Sequence, residues 1–192
     1  MKYHWPPRAL GIGPQLNLVT LSREGRAKLG RYALSSIALA VAGAIVIAAI
    51  DQLFFEGVTA MRTPALDMHP TPQARVAVTF IGGLLEELVF RVILATAVAT
   101  AVWSVLRKTF GGRTGHVSAA QWTGTIAATV AVGVWHVGMV ADPSSNDVRV
   151  LAVNGVSNLL YGWTYWRRGL EMSTLTHGVL NSALYLGLPL LH

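Results

Sequence analysis

Cysteine is absent from this 192-residue chain, which excludes disulfides, thiol nucleophiles and thiolate metal sites. Charge is scarce: 12% of residues are Asp, Glu, Lys or Arg, against about 25% in soluble domains. Repeats and low-complexity tracts are missing, and Gly11-Ile12-Gly13 followed by Pro14 lacks what a phosphate-binding loop requires. There is no HExxH pair, the one-helix arrangement that marks many zinc hydrolases. What abounds is apolar surface, with 53% hydrophobic residues and a mean hydropathy of +0.49. That balance points to a polytopic membrane protein, and the length suits one compact bundle.

Five apolar segments stand out, over 32–55, 74–106, 119–140, 148–166 and 172–191. Each approaches or exceeds the roughly 20 residues a helix needs to cross the hydrocarbon core. The expected fold is therefore all-α, a polytopic membrane helix bundle of about five transmembrane helices. The second segment is too long for one perpendicular crossing, so it should tilt, break or project beyond the bilayer. Residues 1–30 read as a basic cytoplasmic N-terminal segment and 31–192 as a single transmembrane domain. The first apolar segment follows a long basic lead without a convincing A-x-A site, so it reads as a retained helix.

Basic residues set the expected orientation. Lys2, Arg8, Arg23, Arg26, Lys28 and Arg31 precede the first segment, Arg107, Lys108 and Arg113 follow the second, and Arg167 and Arg168 follow the fourth. The opposite loops hold only Arg62, Arg75 and Arg149. This alternation places the N-terminus in the cytoplasm. Trp103, Trp122, Trp163 and Trp166 sit at the same ends, as an interfacial belt would. The net charge of +6 is thus a topology signal facing the lipid bilayer, and no nucleic-acid partner is expected. Residues 56–73, with three prolines, read as an external loop.

Against this background, Leu84-Leu85-Glu86-Glu87-Leu88-Val89-Phe90-Arg91 is out of place. One charged side chain at the centre of a membrane helix costs roughly 2.5–3.5 kcal/mol on insertion scales. Three within six residues must face the bundle interior or a water-filled cavity, and such groups are functional by default. Arg91 lies one turn beyond Glu87 in the favourable i,i+4 order, a structural ion pair. Glu86 is rotated about 140° from Arg91 and left less neutralised, which suits a general base or acid. Two further helices carry polar anomalies: His136 within VGVWHVGMV, and His177 with Asn181 on one face of STLTHGVLNSA. A lone helical histidine such as His136 is more often a packing residue. His4, His69, His116 and His192 fall in loops or at termini and read as solvated. One carboxylate, two imidazoles and an amide on three helices make up a hydrolytic set. Glu86 and a histidine would activate water, and the other histidine and Asn181 would stabilise an oxyanion.

These motifs resemble a known family. Glu86-Glu87-Leu88-Val89-Phe90-Arg91 matches the EExxxR motif of the CPBP family, the CAAX proteases and bacteriocin-processing (Abi) proteins, and His177-Gly178-Val179-Leu180-Asn181 matches its HxxxN motif. The family's FxxxH motif is degenerate here: His136 is present, but Val132 stands where phenylalanine is usual. The resemblance covers about 74–187. It implies an intramembrane endopeptidase of the glutamate type without a cofactor. Carried over by motif, Glu86 and His136 activate water, His177 and Asn181 form the oxyanion hole, and Glu87 and Arg91 support the site.

Other readings remain open on sequence grounds. Glu86, His136 and His177 would also make a His₂Glu zinc set, from three helices and with Glu86 as ligand instead of base. Metal-free catalysis is the expectation. A non-proteolytic scaffold or bacteriocin-immunity protein of the same family is a competitor, as is a proton relay, although no inverted repeat is visible. The expected partner is a membrane-anchored protein or peptide substrate, not necessarily prenylated, and composition hints at a bacterial plasma membrane. Depth poses a puzzle: along the expected spans, His136 lies near the outer end, Glu86 near the middle and His177 nearer the inner end, a disagreement on the order of 10 Å. An outer-leaflet site follows if His136 sets the depth, a cytoplasmic one if His177 does.

Overall fold

The computed structural model describes residues 23–55, 71–111, 114–139 and 147–184. The expectations for most of the N-terminal segment, for the loop at 56–70, and for His4, His69 and His192 lie outside the described residues. Every element among the described residues is helical. In chain order they are α1 (Arg23–Phe54), α2 (Pro72–Glu87), a π-helical segment π1 (Leu88–Ala95), α3 (Thr96–Phe110), α4 (Thr114–Met139), α5 (Asp147–Arg168) and α6 (Leu170–Ser182). The expected all-α membrane bundle is the observed fold. Among the described residues three stretches are long and apolar enough to cross a membrane: Leu29–Phe54, Pro72–Phe110 and Gly115–Val137.

The long second segment neither breaks nor stops at the membrane's width. Pro72 sits in the first turn, where a missing N–H costs nothing, and the Thr71 hydroxyl caps the helix through the Ala74 amide at 3.2 Å. From there the chain runs 39 residues to Phe110, widening into π1 directly after the paired glutamates. Such widened turns recur at functional positions because they re-aim side chains without ending the helix.

α5 is the central helix, packed against α1, α4 and α6. It does not qualify as an apolar span, because its buried face carries Ser157, Asn158 and Thr164 beside Val150, Tyr161 and Tyr165. Neighbouring helices shield those polar groups, so lipid does not have to solvate them. α6 follows after a turn at Gly169, whose φ of 97° favours a residue without a Cβ. It packs on α1, α2 and α5. Ala40, Ala44, Ile47, Tyr161 and Leu180 form the apolar core where α1, α5 and α6 meet. Small residues there let helices approach closely, the usual basis of helix association in lipid.

Two polar ties fix α1 antiparallel to α5. At one end Arg168 donates to the Ser36 hydroxyl at 3.0 Å. At the other, Arg149 grips Asp51 with both Nε and Nη2, the latter at 2.7 Å from Oδ2. Arg149, expected in a loop, is therefore a buried residue in the first turn of α5. Trp103 likewise departs from the expected interfacial belt: it is buried with the Arg107 guanidinium 5.1 Å from its ring. Trp122 is exposed as expected, and Trp166 donates to the Thr125 hydroxyl at 3.0 Å.

Asp51→Asn should cost about 1–3 kcal/mol, since it removes the charged acceptor from a buried guanidinium. Thermal unfolding of the detergent-solubilised protein checks this, and the exchanged pair Asp51→Arg with Arg149→Asp should recover part of the loss.

Candidate active site

Glu86 and Glu87 are neighbours in sequence and live in different surroundings. Glu87 points into the bundle and its side chain is 1% exposed, whereas Glu86 retains 26% of its side-chain surface. The difference follows from the 100° between successive helical residues: one carboxylate faces the core while the next faces its margin.

Glu87 collects partners from two helices. Arg91, also 1% exposed, lies one turn along with its Nε 3.5 Å from Oε2. From α6, the Ser173 hydroxyl bonds Oε2, and His177 Nδ1 lies 3.2 Å from Oε1. The expected Glu87–Arg91 pair is thus present, within a larger network. Arg91 continues the network to α5, where its Nη2 bonds Asn158 Oδ1, and Asn158 in turn donates to the Asn154 carbonyl at 2.8 Å. Beside it, the Thr96 hydroxyl donates to the Arg91 carbonyl at 2.9 Å and meets Tyr165 Oη at 2.9 Å. Side-chain hydroxyls there compensate backbone groups where the helix widens.

His177 is the joint between the two carboxylates. A carboxylate accepts, so Nδ1 is the donor toward Glu87, which leaves Nε2 facing Glu86. Nε2 is 3.9 Å from Glu86 Oε2, too far for a direct hydrogen bond and near enough for one water to touch both. The ring has two further close neighbours. Tyr161 stacks on it at 4.3 Å between centroids and 12° between planes. On α2, a Cβ at Gly83 would lie 3.2 Å from the ring, a tight contact to which the imidazole would have to yield by a few tenths of an ångström. Asn181, one turn along α6, accepts from the Tyr161 hydroxyl at 3.3 Å. Glu86, Glu87, Arg91, His177 and Asn181 are therefore brought together.

His136 stands apart. It lies on α4 and is half-buried, and no hydrogen bond or ion pair joins it to Glu86, Glu87 or His177 among the described contacts. Its Nδ1 is 2.9 Å from the Val132 carbonyl. A carbonyl only accepts, so Nδ1 is the donor in this contact and Nε2 is the nitrogen left outside it. Trp135, packed on His136, also meets Phe90 at 5.6 Å between ring centroids. Phe90 is one turn from Glu86, about 6 Å along the axis. The depth disagreement among the expected spans therefore shrinks, because Glu86 touches the level of His177 directly and α4 meets π1 close by.

Among the described residues no group of three or more His, Cys, Asp or Glu side chains is placed to hold a metal ion. Glu86 and His177 Nε2 face each other, and His136 stands on α4 outside that pair.

Three participants escaped the sequence reading: Ser173, Tyr161 and Asn158. Two left a signal. Ser173, His177 and Asn181 are spaced by four, placing a hydroxyl, an imidazole and an amide along one helical face. Asn154, Asn158, Tyr161 and Tyr165, spaced by four, three and four, share one face of α5.

Arg91→Ala should destabilise the protein by roughly 3–5 kcal/mol, because it removes the guanidinium countercharge from a buried Glu87 and leaves it only the Ser173 and His177 hydrogen bonds. In a Glu87→Gln background the same substitution should cost clearly less. Unfolding of the four variants of that cycle in detergent checks both statements.

Comparison with known families locates this arrangement. The family model described as "type II CAAX prenyl endopeptidase Rce1-like" matches residues 70–183. Comparisons with curated proteins and with solved structures return no significant match. The family match runs from the start of α2 to the end of α6, and the chain belongs to this family of CAAX-type intramembrane proteases.

Proposed function

We propose that the chain is a glutamate-type intramembrane endopeptidase that hydrolyses a peptide bond at or near the membrane-anchored end of a protein or peptide. The observation that carries the reading is the contrast between the paired carboxylates. Glu87 is enclosed by Arg91, Ser173 and His177, whereas Glu86 is half-open and faces the remaining nitrogen of the same histidine. One carboxylate braces and the other is left to react.

In this reading Glu86, with His136, accepts a proton from water as that water attacks the scissile carbonyl. The two bases need not touch each other, since both act on the same water. The tetrahedral oxygen gathers negative charge opposite His177 and Asn181. His177 donates from Nε2 once that nitrogen carries a proton, while Glu87 at Nδ1 aligns the ring and balances its charge. Collapse of the intermediate returns the proton from Glu86 to the leaving amine. Residues 31–192 form the catalytic unit, with the basic residues before them on the cytoplasmic face of a bacterial plasma membrane. No cofactor enters the scheme.

Glu86→Gln should leave folding and membrane insertion intact while lowering turnover by on the order of 100-fold or more. The check is a comparison of peptide termini in host membranes and medium with wild type and Glu86→Gln at matched expression. Termini that vanish in the variant identify the substrate and the side of cleavage. Identical termini, with both proteins folded, would show that Glu86 is not the base and favour a scaffold or immunity role.

A further inference from the structure

We propose that Tyr161 is a positioning residue that determines which end of the Asn181 amide faces the reacting carbonyl. The inference rests on the reading of Asn181 as an oxyanion donor. A carboxamide has two unlike ends, an oxygen that accepts and an NH₂ group that donates. Only the NH₂ end stabilises an oxyanion, and the oxygen end repels it. Nothing intrinsic to asparagine selects between them, because a half-turn about the terminal bond exchanges the two.

The Tyr161 hydroxyl makes the selection. It donates to Asn181 Oδ1 at 3.3 Å, which ties the accepting end toward α5 and leaves Nδ2 on the other side. In the reverse orientation the phenol would accept from Nδ2, which would spend the donor end of the amide on α5 and turn Oδ1 toward the reacting carbonyl.

The phenol has little freedom to follow a flipped amide. Tyr161 is 1% exposed and its ring lies parallel to His177 at 4.3 Å. That imidazole also meets Gly83 closely, and its Nδ1 is held by Glu87. The Ser173 hydroxyl shares its single proton between the Tyr161 carbonyl, 2.9 Å away, and Glu87. One residue of α5 therefore sets the ring plane of His177 by stacking and the amide sense of Asn181 by a hydrogen bond. Donors held this way before substrate arrives need no rearrangement as charge develops.

The two contributions separate in Tyr161→Phe, which keeps the stacking ring and deletes the hydroxyl. The experiment uses the full chain in nanodiscs and a quenched fluorescent peptide spanning the cleavage site found by the terminus comparison. Asn181→Ala should lower kcat on the order of 100-fold, the scale of losing one oxyanion donor. Tyr161→Phe should lower kcat about 10-fold with KM within about 2-fold, since the loss falls on the transition state. Its melting temperature should stay within about 4 °C of wild type. The decisive measurement is the double variant, expected no more than about 2-fold slower than Asn181→Ala alone, because a hydroxyl acting through the amide has nothing left to orient. A double variant slower by the product of the two single effects overturns the proposal, as does a Tyr161→Phe enzyme at the wild-type rate beside an impaired Asn181→Ala. Wild-type turnover in Asn181→Ala, or no terminus dependent on Glu86, overturns the underlying reading and this proposal with it.

Discussion

A carboxylate buried to 1% exposure in an apolar bundle keeps its charge only if other groups replace the water it has lost, and Glu87 finds those groups on its own helix and on α6. Arg91 supplies the countercharge, Ser173 a hydroxyl and His177 an imidazole N–H. Each partner is then placed by something else: Arg91 by Asn158 of α5, Ser173 by the Tyr161 carbonyl, His177 by the Tyr161 ring. The cost of leaving Glu87 unsatisfied thus falls on α2, π1, α5 and α6 together. A network of this kind adds less to net stability than its number of bonds suggests, because desolvation offsets much of the attraction. Its effect is to permit one packing of these helices and to penalise others.

Geometry then divides labour between adjacent residues of the same type. Because Glu87 is fully engaged, Glu86 is the carboxylate with surface to spare, and because Glu87 holds Nδ1 of His177, it is Nε2 that faces Glu86. The π-helical turns that begin at Leu88 let the chain carry Arg91 back toward Glu87 and Asn158 while Phe90 reaches Trp135 of α4. A uniform α-helix through the same residues would aim those side chains differently. The widened segment is therefore part of how the site is assembled and does not act as a breakpoint in the membrane span.

The charged half of this arrangement was legible in the chain, since charge inside an apolar run has few explanations and an i,i+4 pair announces its own geometry. The neutral half was much less so. Asn158, Ser173 and Tyr161 are ordinary residues for a membrane helix, and their partners lie 67, 86 and 20 positions away. Nothing local says that a serine will meet a glutamate on another helix. The same limit applies to Arg149, assigned to a loop by its place between apolar runs and found buried against Asp51, and to Trp103, assigned to the interfacial belt and found buried beside the Arg107 guanidinium. Hydropathy reads the average surroundings of a segment. It cannot tell which side of a helix another helix will cover.

What the amino-acid sequence determined by itself was the solvent, the elements and the reactive inventory. Apolar length requires helices in a membrane, because no other open backbone arrangement satisfies its own hydrogen bonds there. Charged and imidazole side chains within those helices must then be shielded and put to use. What only the tertiary structure decided was who meets whom. It set His177 between two glutamates, tied Asn181 to Tyr161, and left His136 outside the hydrogen-bonded cluster on α4. Those outcomes depend on helix rotation, on the extra width of π1 and on close approaches such as Gly83 to His177, quantities fixed by packing between segments far apart in the chain.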